Sequence, residues 1–350
     1  MPNPLLDHDG LRLFSELLDI PSPSGHESQM AVTLVSKLES MGFNPETDAA
    51  GNVILRLDSQ HPDRPTICYA AHMDEIGMTV NQIHADGSLK VERLGGLIPW
   101  KIGETAVTII GDGEDVIGML SMGSGHSRKV VEAGPSWETA KIITGHSPKA
   151  LADRGIRVGA SVVPVREGRG PFVFGDEAAP WVGAWTFDNR LAIVACLQTL
   201  AALQRKGITP RSPLTLVFTV EEEIGCLGAK VFALRERPDV FIAVDGSPLV
   251  PECPVILDGR PGIRSRDRVA TYDQELLQEI CHLSAEAGVE LQPVVYSGAA
   301  SDASLVYSIG ASPRVACLGY IRDSSHGFEV TPLSSFDYLA TTLIALFAKL

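Results

Sequence analysis

Apolar residues along this chain fall into two kinds of run, and the two kinds are segregated. Residues 214–220, Leu-Thr-Leu-Val-Phe-Thr-Val, form an almost unbroken apolar and β-branched stretch, as a strand buried on both faces requires. Residues 53–57, 66–71, 240–244, 292–296 and 313–319 share that texture. Segments with a helical period lie between and around them. These are residues 11–18, a run from Glu27 with Ala31, Leu34, Val35 and Leu38 on one face, and residues 189–206, 229–235, 274–287 and 334–350. Gly42 and Gly207 stand where two of these helices should stop. From Ile76 the period changes. Short alternating runs, broken at Asp86-Gly87, Gly95-Gly96, Gly111-Asp-Gly113 and Gly123-Ser-Gly125, predict a small β-barrel or sandwich. One short helix, capped by Ser147, interrupts it. The expected fold class is α/β, with a mixed sheet and helices on both faces. Residues 1–75 and 179–350 build that domain, and residues 76–178 form an inserted, small β-barrel-like domain.

The polar residues that punctuate the buried runs are not random. His72 and Asp74 follow the strand at 66–71, and Glu221, Glu222 and Glu223 follow the one at 214–220. Asp245 ends the strand at 240–244, Asp188 opens a helix, and His326 lies beyond the strand at 313–319. Each alone has a bland account: Asp188 as a helix cap, the glutamates at a helix N-terminus, His72 as a core histidine satisfied by its neighbour. Together they place acids and imidazoles at the strand ends, where open α/β sheets bind ligands. Carboxylates against buried strands lose solvation, so a cation is needed to offset the cost.

Two histidines among several carboxylates suit a pair of divalent ions better than a structural zinc site, which favours cysteine. Three ligand carboxylates and a bridging hydroxide neutralise two such ions, leaving a fourth carboxylate free as a general base. The remaining histidines, His8, His26, His61, His84, His126, His146 and His282, read as surface or packing groups.

Composition narrows the field. Over 350 residues, 45% apolar and 21% charged content describe an ordinary globular chain. A net charge of −14 argues against a nucleic-acid partner. Six cysteines without short paired spacing read as reduced, buried thiols of a cytoplasmic protein. The start, Met-Pro-Asn-Pro-Leu-Leu-Asp-His-Asp, has no basic region leading into an apolar core, so no signal peptide is expected. No run reaches membrane-spanning length, so no membrane partner is expected either.

Several motifs, in order, resemble those of the dinuclear metal aminopeptidases that assemble as tetrahedra, the glutamyl/leucyl aminopeptidase family. They are Ala71-His72-Met-Asp74-Glu75-Ile-Gly77, Asp188-Asn-Arg190, Glu222-Glu223-Ile-Gly225-Cys-Leu-Gly228-Ala, Ala243-Val-Asp245, Ser301-Asp302-Ala, and His326 with Glu329. The resemblance implies a metallo-aminopeptidase with two divalent ions per subunit, zinc or cobalt, acting on peptides. It implies that His72, Asp188 and Asp245 hold one ion and that Asp188, Glu223 and His326 hold the other. Glu222 is then the base and Asp74 the carboxylate that orients His72. It further implies that the β-rich insertion is a dimerisation domain and that the chain is a homo-oligomer built from dimers into a dodecamer.

The match has two departures. The family carries Arg-Tyr shortly before the last histidine, whereas this chain reads Arg322-Asp-Ser-Ser-His326, and a family aspartate in the insertion is replaced near Thr144. Two other enzyme readings stay open on sequence: a dinuclear amidase or deacylase for N-acyl amino acids, and a metal-free glycoside hydrolase using two carboxylates. A non-enzymatic scaffold would leave the ligand set without a purpose.

Overall fold

The computed structural model describes residues 8–350, so most of the amino-terminal stretch read for a leader lies outside it. Strands β1 (Glu46–Thr47), β2 (Val53–Leu57) and β3 (Ile67–His72) begin the central sheet. The chain then leaves it for β4 (Gly77–Ile83), β5 (Leu89–Leu94), β6 (Thr105–Ile109), β7 (Val116–Ser121), β8 (Lys141–Ile143) and β9 (Ser161–Pro164), which form a closed barrel. A hairpin of β10 (Phe172–Asp176) and β11 (Ala179–Trp185) follows. Next come β12 (Leu214–Thr219), β13 (Val240–Val244), β14 (Ser247–Pro248), β15 (Gly262–Arg266) and β16 (Gln292–Val295). The last three are β17 (Arg314–Gly319), β18 (Ile321–Arg322) and β19 (Phe328–Pro332).

The central sheet has eight strands in the order β1-β2-β12-β3-β13-β17-β15-β16. It is mixed: β12, β3, β13 and β17 run parallel, whereas β2 pairs antiparallel with β12 and β15 antiparallel with β17. Parallel central strands are covered on both faces, and this explains their continuous apolar runs. Every residue of β3 and β13 is buried. Barrel strand β7 instead alternates buried and exposed positions, because only one of its faces meets a core. Two large apolar cores result, one in the α/β domain and one inside the barrel, which also takes in Trp185, beside a small cluster of Cys253, Val294 and Tyr296. A fully buried large apolar side chain in either contributes roughly 1.5–3 kcal/mol.

The helices around the sheet pack in two groups. Asp9–Leu18, Phe187–Lys206, Gln274–Glu286 and Ser334–Lys349 pack together, and Leu227–Glu236 packs with Asp302–Ser308. The helix Phe187–Lys206 differs from the one-sided stripe its sequence suggests: it is buried nearly all round through Leu203. The reason is that Asp9–Leu18 and Ser334–Lys349 both pack on it, so only Gln198 and Ala201 break the burial before its C-terminal turn. The hairpin β10–β11 crosses the domain boundary drawn at residue 178 and pairs with β19 of the α/β domain. Among the described residues no helix is long and apolar enough to cross a membrane.

Candidate active site

Sheet order decides which polar residues meet. Parallel pairing of β12 with β3 sets Thr219 opposite His72, and β13 lies on the other side of β3. His72, the run Glu221 to Glu223 and Asp245 therefore emerge along one edge from three adjacent strands. Asp188 enters from the first turn of the helix Phe187–Lys206, where its own backbone is not yet helical. His326 comes from the loop between β18 and β19, in a left-handed conformation with φ 59°.

Each predicted site residue lies in this one cluster. Ligand atoms of His72, Asp188 and Asp245 lie within 4.8 Å of one another, and so do those of Asp188, Glu223 and His326. Asp188 belongs to both triads. His72 Nε2 is 3.1 Å from Asp188 Oδ1, while His326 Nε2 is 3.8 Å from Asp188 Oδ2 and 3.6 Å from Glu223 Oε2. His72 is sealed in at 3% exposure, whereas the His326 side chain keeps 34% and looks into a cleft of about 610 Å³. Glu222 also groups with His72 and Glu223 within 4.8 Å, but Glu221 joins no such group among the described residues. The other histidines join none either.

Asp74 ties two of these pieces together. His72 Nδ1 lies 3.0 Å from its carbonyl oxygen and 3.4 Å from its Oδ1. The same carboxylate accepts the N–H of Glu222 at 2.9 Å on Oδ1, and on Oδ2 that of Glu223 at 3.1 Å and the Ser24 hydroxyl at 2.7 Å. Burial would raise its pKa, but these partners hold it below the usual carboxylate range. Glu222 and Glu223 go the other way. Burial pushes both up, and neighbouring carboxylates add to the shift against the opposing pull of His72. Burial likewise pushes Asp302 up to about 6, against the Thr219 hydroxyl that bonds it. For His72, burial disfavours the charge, but hydrogen bonds donated by its ring to the Asp188 and Asp74 carboxylates outweigh it and raise the pKa. So many buried carboxylates, crowded until some resist ionising, form a donor set that fits divalent cations.

Sequence reasoning did not foresee the cations that brace the site. Buried Arg322 donates to Asp188 and, through Nε at 2.6 Å, to Glu329. Glu329 in turn accepts the backbone N–H of Asp188 at 2.9 Å and of His326 at 3.1 Å, fixing both in place. Arg264 donates to Asp245 Oδ2 at 3.0 Å. An arginine inside the otherwise apolar start of β15 was the available signal for it. Glu75, fully buried, is clasped by Arg169 and by Arg190 at 3.1 Å. The barrel contributes as well: Lys101 donates to the carbonyl of Ser324 at 2.8 Å, and Gly95 and Gly96 lie against Glu223 and His326.

Comparison with known proteins settles the family. The model describing M42 glutamyl aminopeptidases matches residues 51–341. The chain belongs to this family. M42 peptidases are metal-dependent, and here the acidic and histidine groups stand where a metal would be held. The glutamyl aminopeptidase of Lactococcus lactis is 30% identical over 239 residues, 66% of this chain and 65% of the relative. The lysyl aminopeptidase of Pyrococcus furiosus is 27% identical over 241 residues, 67% of this chain and 65% of the relative. These alignments thus span just under two thirds of each relative's length. The M42 fold extends further: the TET1 peptidase of Pyrococcus horikoshii superposes with a TM-score of 0.86 at 22% identity, covering 98% of this chain and 100% of that one. That protein can assemble into a tetrahedron or a large octahedral shell.

Proposed function

We propose that this M42 chain is a metallo-aminopeptidase that removes the N-terminal residue from peptides with the help of two divalent ions, zinc or cobalt. The observation that carries the reading is the pair of three-residue ligand groups sharing Asp188. His72, Asp188 and Asp245 would hold one ion, and Asp188, Glu223 and His326 the other. Bound there, the ions supply Lewis acidity toward the scissile carbonyl and lower the pKa of water. Glu222, beside both groups, takes a proton from the attacking water on its carboxylate and returns it to the leaving amine. Asp74 orients His72 and pins the backbone of the glutamate run, so base and ligand keep their separation. Arg322 and Glu329 hold Asp188 and His326 for the same purpose.

The exposed apolar residues Ile117, Met119 and Ile143 on adjacent barrel strands support a dimer formed through the inserted domain, and a TET1 structure solved as a dodecamer supports a dodecamer built from it. All six cysteines are free, which fits a cytoplasmic protein. A carboxylate-only glycosidase leaves His72 and His326 without work. The deciding experiment is a panel of aminoacyl chromogenic substrates on zinc- or cobalt-reconstituted protein, with N-blocked controls. Hydrolysis of free-amine substrates only is the expected result. Hydrolysis confined to the N-blocked compounds would instead establish the amidase alternative.

A further inference from the structure

Cys226 and Asp302 belong to neither ligand group, yet with Glu222 they form a third. The Cys226 sulfur and a carboxylate oxygen from each acid lie within 4.8 Å of one another. Cys226 is set there by a left-handed backbone, φ 56°, just ahead of the helix Leu227–Glu236. Its thiol donates to Glu222 Oε1 over 3.4 Å. Asp302 is 3% exposed and accepts the Thr219 hydroxyl on Oδ2 at 2.6 Å, while Oδ1 has no hydrogen-bond partner. A buried carboxylate oxygen left unpaired is costly, and a cation is the partner that would satisfy it. Both Glu222 and Cys226 line the cleft, so an ion can arrive from solvent.

We infer that Glu222, Cys226 and Asp302 form a third cation site, taken by a thiophilic divalent ion such as zinc or cadmium, and that filling it withdraws Glu222 from proton transfer. The thiol ligand selects zinc and cadmium over magnesium, calcium and manganese, which prefer oxygen. Binding replaces the S–H bond with an S–metal bond and releases the proton to solvent. One thiolate and two carboxylates outweigh the ion's charge, so the filled site does not repel the neighbouring ions. Only the loss-of-activity arm rests on the aminopeptidase reading.

The test is a cadmium titration of the chain already loaded with two equivalents of zinc. It follows bound metal, the ultraviolet thiolate-to-cadmium absorption and the hydrolysis rate together. A further equivalent is expected to bind with the thiolate band and to lower the rate at least about tenfold, if Glu222 carries a typical general-base contribution. Manganese should give neither band nor inhibition. Band and extra equivalent should vanish in Cys226→Ala and persist in Cys281→Ser, the control for the partly exposed thiol. A band that survives Cys226→Ala, or an extra equivalent without a band, overturns the proposal. Should Cys226→Ala fail to fold, Asp302→Asn decides, because it keeps the thiol: cadmium affinity must fall at least about tenfold, and unchanged affinity overturns the site. A cadmium–thiolate band at this site in a chain without peptidase activity would sink the aminopeptidase reading and leave the third site standing. Full activity with two equivalents and no band would do the reverse.

Discussion

Gly96 of the inserted barrel lies flush against the imidazole of His326. A Cβ built on Gly96 would sit 2.2 Å from His326 Nδ1 and 2.5 Å from its Cε1, far inside contact distance. The inserted barrel therefore backs the imidazole that faces the cleft, and only glycine at this position leaves His326 where it meets Glu223 and Asp188.

Gly96→Ala should therefore push the imidazole away and weaken the ion assigned to Asp188, Glu223 and His326, sparing the one assigned to His72, Asp188 and Asp245. Metal analysis of dialysed protein should show close to one equivalent instead of two. Two firmly held equivalents in Gly96→Ala would show that the loop yields and that the contact does not position His326.

The glutamate run should divide by role. Glu222→Gln is expected to keep both ions and lose roughly 10²–10⁴-fold in kcat, the usual range for a general base. Glu223→Gln should lose one ion along with activity. Glu221→Gln should be mild, because Glu221 joins neither ligand group. Metal content measured beside kcat for the three variants checks this, and exchanged behaviour of Glu222 and Glu223 would shift the assignment by one residue.

Arg322 bonds two buried carboxylates at once, Asp188 and Glu329. Replacing it with methionine strands both, and breaking a buried pair in this way costs about 3–5 kcal/mol. Lysine should recover only part of that, since it lacks the planar fork that reaches two partners. Urea unfolding of the metal-free variants is the measurement; equal midpoints for Arg322→Lys and the natural chain would show that the fork is not needed.

Glu75 gives a pH prediction. Burial raises its pKa, but the charges of Arg169 and Arg190 prevail and hold it below its ordinary value of 4.5. A depressed carboxyl stabilises the fold fully above that ordinary value, and the contribution drains away as pH falls through the lower folded-state value. The stability gap between the natural chain and Glu75→Gln should thus be largest from neutral pH down to about pH 5 and shrink in stronger acid. Urea midpoints across that range read it directly, and a gap that widens in acid would contradict the sign.

The barrel surface bears on assembly. Ile117 and Met119 on β7, 65% and 52% exposed, lie beside Ile143 of β8 and form an apolar face. Ile117→Asp with Met119→Asp should reduce the particle mass seen by light scattering at micromolar protein. A natural chain that is already a monomer there would end the oligomer proposal.

The buried strands and the site's raw materials were legible in one dimension. Strands covered on both faces need unbroken apolar runs, so residues 214–220 and 240–244 announced themselves, and acids at their ends stood out against that background. Motif order then gave the resemblance to the glutamyl/leucyl aminopeptidases, and the family match agrees with it. The barrel's alternation was legible for the converse reason, that one of its faces meets water.

What the chain could not declare was adjacency across the sheet and between domains. The order β12-β3-β13 brings His72, Glu223 and Asp245 to one edge, although strand order is a property of pairing and not of any local period. The hub role of Glu329 and the bracing by Arg264 and Arg322 depend on residues far apart in sequence meeting in a dry interior, where each charge must find a partner. Gly96 reads in sequence as half of a turn dipeptide. Only the docking of the barrel on the α/β domain turns it into the surface against which His326 is set, because steric contact between distant segments exists only once the chain has folded.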